Sequence, residues 1–200
     1  MKYTSSSNAG FITGVSVVLV PIIYALINKK KPGLITSLTI IMAAIGLFFI
    51  SVPPGSFTLS YGDLLVLVGA FGFAMHIITV DMYSHKYSAV AITAVQIFFV
   101  GLVCSIAGLI MEPVPRYLSY NTLFAIIITA VFATSMAFFL QNYMQKFSTP
   151  TRFAVVLTTE PVFAALAGYW WAGEHLGRLG LIGAGLILVA MLISTIFNKS

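Results

Sequence analysis

A single carboxylate, Glu160, stands well inside a long apolar stretch of the chain and is followed at once by Pro161. A carboxylate among apolar side chains is costly unless it faces a polar cavity, pairs with a cation or holds a proton. Pro161 removes one backbone hydrogen bond and so frees a carbonyl near Leu157. The pair predicts either a proton or cation site that lines a cavity, or a packed helix kink.

Amide and imidazole side chains inside other apolar stretches are the next candidates. Gln141 and Gln145 are four residues apart and share one helix face, whereas Gln96 stands deeper in its own stretch. Gln141 and Gln145 either line a cavity or are interfacial amides that bind water. Gln96 either lines a cavity or ties two helices together, since burying its amide requires partners. His76 is interpreted as a neutral histidine at a helix contact, with a proton-relay or substrate role as the alternative. These four residues and Glu160 form the candidate substrate or proton site.

Residue types suited to hydrolysis or metal binding are present but not arranged for it. The three histidines, His76, His85 and His175, fall at different depths, and no HExxH or GxSxG spacing occurs. The single Cys104 lies inside an apolar run. We therefore predict no catalytic residue, no metal, no cofactor and no enzyme activity. A retinal receptor is excluded as well, because the last apolar stretch contains no lysine for a Schiff base.

Composition decides what kind of element must position these residues. Hydrophobic residues make up 60% of the 200 residues, charged residues only 8%, and the mean hydropathy is +1.03. An ordinary soluble domain carries about 25% charged residues. A soluble enzyme and a disordered chain are excluded, because a soluble fold of this length could not bury so much apolar surface. A nucleic-acid-binding module is excluded as well, since the 10 basic residues are scattered between apolar runs and form no patch. The lipid bilayer is the expected partner.

Seven apolar runs have the length of about 20 residues that a membrane-spanning helix needs. Continuous runs exclude a β-barrel, whose strands alternate in polarity. The sequence therefore predicts an all-α integral membrane protein, a seven-span helical bundle. The predicted spans are Ala9–Ile27, Leu34–Val52, Leu64–Val80, Ala89–Met111, Asn121–Leu140, Phe153–Gly173 and Leu179–Phe197.

Lysine and arginine are distributed unequally between the two sides that these spans define. The positive-inside rule predicts a multi-pass protein of the cell membrane, with the N-terminus of this chain outside and the C-terminus in the cytoplasm. The inside group is Lys29, Lys30, Lys31, Lys86, Lys146, Arg152 and Lys199, and the outside group is Lys2, Arg116 and Arg178.

The first two and last two spans share a layout. A proline is followed by an apolar helix end, a loop and a helix that closes on a serine, first in Pro21–Ser51 and again in Pro161–Ser194. The charge bias gives the two copies opposite orientations, and an inverted repeat is typical of secondary transporters. Pro21 and Pro161 are the expected helix kinks of the two copies.

Three groups of segments carry a family resemblance. They are Glu160–Gly168, Gly173–Leu176 and Ile182–Leu188; Gly62–Leu65 and Phe73–Ile77; and Gln141, Gln145–Lys146 and Thr149–Pro150. In this order they resemble the closing helix pair, the opening helix of the second repeat, and the junction of the third and fourth helices of that repeat in the EamA family of the drug/metabolite transporter superfamily. The resemblance covers roughly residues 59–197 well and 5–52 more loosely.

The family is built from two inverted five-helix repeats, so the resemblance implies a division of this chain. Residues 1–58 would be a partial first repeat of two transmembrane helices, and residues 59–200 a complete second repeat of five. The chain looks like helices four to ten, lacking the first three. The implied function is transport of a small-molecule metabolite. The intramembrane carboxylate Glu160 favours exchange of a proton, and transport driven by the solute gradient is the alternative mechanism. The alternative is a non-transporting fragment or half-unit, completed by a partner chain or by self-association.

Overall fold

The computed structural model describes residues 6–29, 32–52, 60–111, 117, 119–173 and 177–197. In these residues every regular element is a helix, and seven helices are long and apolar enough to cross a membrane. The prediction of an all-helical integral membrane protein with seven spans is confirmed. Numbered in chain order, spans one to seven are Ala9–Asn28, Leu34–Ser51, Tyr61–Ser84, Ala89–Met111, Tyr120–Gln145, Pro150–Trp170 and Arg178–Phe197.

Spans three and five are longer than their apolar runs predicted. Span three begins three residues early because the backbone N–H of Ser60 donates to Oδ2 of Asp63 at 2.7 Å, which caps the helix. Span five continues past Leu140 to Gln145. Polar residues at a helix end still satisfy their backbone groups by continuing the helix, so hydropathy alone places such ends too early.

Three spans are built from more than one helical segment, whereas spans two, three, four and seven are single α-helices. An interruption within a span leaves backbone groups outside the regular hydrogen-bond ladder. Span one consists of Ser6–Gly14 and Ser16–Asn28; span five of Tyr120–Ile128, the π-helix Thr129–Met136 and Ala137–Gln145; and span six of Pro150–Leu157, Glu160–Ala167 and the π-helix Gly168–Ala172.

The described residues fall into two compact units. The first unit comprises Met1–Thr79 with Ser148–Ser200, and the second comprises Val80–Phe147. The core of the first unit is formed by small and branched side chains from spans one, two, three, six and seven. Its buried members are Val17, Val20, Ile40, Ala43, Ala74, Ile77, Ile78, Phe153, Ala154, Val155 and Ala190.

Spans two and seven approach each other most closely at a pair of glycines. A Cβ on Gly46 would lie 2.6 Å from the carbonyl oxygen of Gly183, and a Cβ on Gly183 would lie 2.5 Å from that of Gly46. Ile187 lies beside Gly46, while Ile50 lies beside Gly183. The partner residue number falls as the span-two number rises, so the two helices are antiparallel, and glycine permits their close contact.

The second unit contains the end of span three with spans four and five. Many large apolar side chains of spans four and five are exposed, among them Phe98, Phe99 and Leu109 on span four. Large exposed apolar faces on spanning helices are what a bilayer solvates.

Some sequence expectations fall on residues outside the described ranges. The orientation of the chain in the membrane and its division at residue 58 into two repeats stay predictions. The residues concerned are Lys2, Lys30, Lys31, Arg116, Glu174–Leu176 and Lys199.

Candidate solute cavity

Span six is broken immediately before Glu160 and Pro161. Its first segment ends at Leu157, and the next begins at Glu160. Pro161 has no N–H to donate to the carbonyl of Leu157, which removes one bond of the helical ladder. Thr158 and Thr159 fill the gap, and their hydroxyls donate to carbonyls three residues earlier at 2.6 and 2.7 Å. Both threonines are therefore satisfied within a buried turn.

Glu160 occupies the first turn of the second segment of span six. A negative charge is favoured there, since the first N–H groups of a helix point toward it. Val162, two residues further on, is buried against Leu47 and Ile187. Two residues rotate a helix by about 200°, so Glu160 lies on the opposite side from this contact, and its side chain is exposed.

Span one is interrupted at Val15, between its two segments. Gly14 lies directly against Leu47 of span two, where a Cβ would collide with the leucine side chain. Ser16, on the other side of the break, is buried. The interruption thus has Gly14, which has no side chain, on one side and the small hydroxyl of Ser16 on the other.

Both interruptions line one cavity of about 420 Å³ within the first unit. Glu160 is the only charged residue among the described lining residues, and three hydroxyls accompany it, from Thr13, Ser16 and Thr158. The rest of the lining is apolar. The described lining residues are Ala9, Gly10, Thr13, Gly14, Ser16, Leu47, Phe73, Ala154, Leu157, Thr158, Glu160, Pro161 and Ala164.

The chemistry of this cavity follows from its lining. A volume of about 420 Å³ lies in the range of small-molecule sites, which are mostly apolar with a few polar groups that fix orientation. The carboxylate can hold a proton or a cationic group, and the hydroxyls can donate or accept hydrogen bonds. Discontinuous helices around a cavity are also the arrangement in which transporters hold solutes.

His76 contacts Phe73, a residue of the cavity lining. Its imidazole stacks on Phe73 with ring centroids 5.9 Å apart and planes inclined by 21°, and Phe73 lines the cavity. His76 is not among the described lining residues. Both rings belong to span three, so the helix-contact interpretation and the proton-relay or substrate role of His76 both stay predictions.

Gln96 joins spans four and five through a partner that the sequence did not single out. Nδ2 of Asn142 donates to Oε1 of Gln96 at 2.7 Å and to Oγ1 of Thr93 at 2.9 Å. Thr93 in turn donates to the carbonyl of Ala89 at 2.7 Å. Asn142 is fully buried. Within the second unit this chain of bonds is a tie between two helices.

The other two glutamines lie on span five beside Asn142. Gln145 is fully buried and Gln141 half-buried. In the described part of the chain, Nε2 of Gln141 and Oδ1 of Asn142 are buried without a hydrogen-bond partner. Gln96, Gln141 and Gln145 thus belong to the second unit, whereas Glu160 and His76 belong to the first, and a solute role for any of the five stays a prediction.

The two prolines of the repeated layout differ in their surroundings. Pro161 directly follows the break in span six, whereas Pro21 is buried inside the continuous segment Ser16–Asn28. In span one the break lies at Val15, six residues before Pro21. Pro21 as a kink therefore stays a prediction.

The hydroxyls of Thr13, Ser16 and Thr158 were not anticipated from the sequence. Serine and threonine can bond to a carbonyl in the preceding turn of their own helix, so nothing in hydropathy separates a lining hydroxyl from any other. The one signal that could have found Thr158 is its place just before a Glu-Pro pair. Among the described residues, no three His, Cys, Asp or Glu side chains are grouped as metal ligands.

Comparison with known proteins places the chain in a family. Residues 60–196 match the model of the EamA-like transporter family. The chain is 32% identical over 193 residues to an uncharacterized transporter of Archaeoglobus fulgidus, covering 96% of this chain and 61% of the relative. It is 22% identical over 202 residues to a chloroplastic WAT1-related protein of Arabidopsis thaliana, covering 96% of this chain and 48% of the relative.

The chain thus spans less than two thirds of the length of either curated relative. A protein of known crystal structure shares the fold, with a TM-score of 0.82 at 14% identity over 97% of this chain and 68% of the other. The family match covers more than half of the chain and coincides with spans three to seven. The chain belongs to the EamA-like transporter family.

Proposed function

We propose that the protein carries a small metabolite across a cell membrane, with the solute held in the cavity of the first unit and a proton exchanged at Glu160. The observation that carries this proposal is that the interruptions of spans one and six line the same cavity with one carboxylate. Family membership supports transport as the general activity. Solute and coupling ion are the proposed part.

The proton role of Glu160 rests on its surroundings. No described lining residue carries a positive charge, so the lining supplies no counter-ion for the carboxylate. Protonation removes the charge and the cost of carrying it through an apolar interior. A group that must gain and lose a proton as the cavity opens to either side can link solute movement to a pH gradient.

The experiment that tests transport offers the protein many solutes at once. The purified protein is reconstituted into liposomes, a pH gradient is imposed, and the small-molecule fraction of a cell extract is supplied outside. Mass spectrometry of the lumen then identifies what accumulates. We expect one class of small solute to be enriched over protein-free liposomes, and to lose its enrichment when a protonophore collapses the gradient. No enrichment with well-incorporated protein contradicts the proposal.

A second candidate is a half-unit that transports only when further helices complete it. The observation that favours it is that the chain spans 61% and 48% of the lengths of its curated relatives. The two candidates are separated by repeating the liposome assay with the chain reconstituted together with the part of its 32%-identical relative that the chain does not span. Accumulation by the chain alone contradicts the half-unit, whereas accumulation only with additional helices supports it.

A further inference from the structure

Two lysines of the second unit are held over aromatic rings. Nζ of Lys146 lies 4.6 Å from the ring centroid of Tyr143 and 5.1 Å from that of Phe147. Nζ of Lys86 lies 5.9 Å from the ring centroid of Tyr83. A ring face attracts an ammonium group within about 6 Å and limits its movement. The ammonium groups of both lysines are therefore held in position by contact with aromatic ring faces.

The rings around these lysines are themselves grouped and exposed. Tyr83 and Tyr87 have centroids 6.1 Å apart, and Tyr143 meets Phe147 edge to face at 5.7 Å. All four rings are exposed. Aromatic rings at the ends of spanning helices lie at headgroup depth, where one side is wet and the other apolar.

The two lysines and their rings lie at the same end of the second unit, as the hydrogen bond between Asn142 and Thr93 indicates. Thr93 lies about one turn after the start of span four, and Asn142 about one turn before the end of span five. The start of span four and the end of span five are therefore level. Lys86 lies three residues before the start of span four, and Lys146 directly follows span five.

The charge at this end is positive. Asp81 is the only acidic residue among the described residues of the second unit, and it is half-buried within span three. Lys86 is exposed and is preceded by His85, also exposed. A surface of ammonium groups framed by exposed rings suits an anion that also carries apolar chains.

We propose that this end of the second unit binds the phosphate of an anionic phospholipid, with Lys86 and Lys146 on the headgroup and Tyr83, Tyr87, Tyr143 and Phe147 on the glycerol and upper acyl region. A free anion would use the ammonium groups and leave the rings in water. A phospholipid uses both, and its acyl chains continue along the exposed apolar faces of spans four and five. The surface is independent of the cavity in the first unit.

The test compares lipid retention by the wild-type chain and by matched lysine variants. Protein is exchanged into nanodiscs of phosphatidylcholine with or without phosphatidylglycerol, and native mass spectrometry counts the lipids that remain bound on release. We expect wild-type protein to retain phosphatidylglycerol in preference to phosphatidylcholine. The preference should fall by about fivefold for each lysine removed in Lys86→Gln and Lys146→Gln, and should survive Lys→Arg at both positions.

Lys29→Gln is the matched control, since Lys29 is an exposed lysine in the first unit. An unchanged preference in the double glutamine variant, or an equal loss in Lys29→Gln, overturns the proposal. A second measurement needs no variant and covers the case of a double variant that does not fold. Phosphatidylglycerol with a photoreactive headgroup should label peptides at residues 83–87 and 143–147 of the wild-type protein, and labelling confined to other segments also overturns the proposal.

Discussion

At the scale of single residues, each buried polar group has to find a partner or face a cavity, because lipid offers none. Nδ2 of Asn142 meets this demand by donating to Gln96 and Thr93, whereas Oδ1 of the same residue is buried without a partner among the described residues. The exposed carboxylate of Glu160 faces a cavity. The same demand explains the threonine hydroxyls before Glu160, which bond within their own helix. Asn142 thus ties two helices together, whereas Glu160 belongs to the cavity lining.

The tie between spans four and five makes a testable contribution to stability. Asn142→Ala removes the donor to Gln96 and Thr93, and we expect the free energy of unfolding to fall by about 0.5–2 kcal/mol, as for hydrogen bonds between other membrane helices. The measurement is reversible unfolding in mixed micelles, read by circular dichroism. A double-mutant cycle with Gln96→Ala should show coupling of similar size.

Asn121→Ala provides the control for this substitution, because Asn121 is an exposed asparagine near the start of the same span. We expect it to change the unfolding free energy little. Equal effects at positions 121 and 142, or no coupling between Asn142 and Gln96, would show that the hydrogen bonds do not hold the two helices together.

At the scale of elements, two devices shape the first unit. Spans two and seven meet at Gly46 and Gly183 with no room for a side chain on either, and spans one and six are broken where they line the cavity. The first unit therefore combines two continuous helices in close contact, spans two and seven, with two interrupted helices, spans one and six. The interrupted ones present backbone and hydroxyl groups where a solute can use them.

The contact between Gly46 and Gly183 predicts that the effect of a glycine-to-alanine substitution on stability depends strongly on its position in span seven. Gly183→Ala places a Cβ 2.5 Å from the carbonyl oxygen of Gly46 and 2.9 Å from the backbone nitrogen of Ile50. Backbone cannot move aside as a flexible side chain can, so we expect destabilisation of about 1–3 kcal/mol. Gly185→Ala, on the same span with open space around it, should be neutral. Thermal unfolding in detergent distinguishes the two, and equal midpoints would contradict the close contact.

The break in span six predicts a separation of stability from activity. Pro161→Ala restores an N–H that can bond to the carbonyl of Leu157, which favours a continuous helix. We expect the unfolding midpoint to be unchanged or higher, while solute accumulation falls. Pro150→Ala, at the start of the same span where proline is tolerated, should leave accumulation intact. Normal solute accumulation by Pro161→Ala would show that transport does not depend on the break in span six.

How far the elements follow from the sequence depends on the signal each one leaves. Apolar run length predicted all seven spans, since crossing a bilayer requires it. Pro161 predicted an irregular helix at the place where span six is broken, because proline has no backbone N–H to donate. The break at Val15 left no such signal, and Thr13 and Ser16 have ordinary helix-compatible side chains. The Asn142–Gln96 bond joins residues 46 positions apart, which only the packed structure can bring together.

At the scale of the whole molecule, the distribution of charge predicts an orientation. Lys86 and Lys146 belong to the group assigned inside, and Arg178 to the group assigned outside. The exposed native Cys104 is first replaced by serine, and single cysteines are then placed at these positions. A membrane-impermeant maleimide on intact cells should label position 178 and spare positions 86 and 146. Labelling of all three from one side would contradict the arrangement.

The central claim is that the carboxylate of Glu160 couples a proton to solute movement through the cavity. Glu160→Gln keeps the size of the side chain and removes its ability to ionise, so the cavity should remain while the coupling is lost. The measurement is pH-driven accumulation of the identified solute in proteoliposomes. Asp81→Asn, a carboxylate-to-amide change at a described residue of the second unit that does not line the cavity, serves as the control. We predict that Glu160→Gln abolishes accumulation at unchanged incorporation and helix content while Asp81→Asn retains it; accumulation by Glu160→Gln at the wild-type level would contradict the claim.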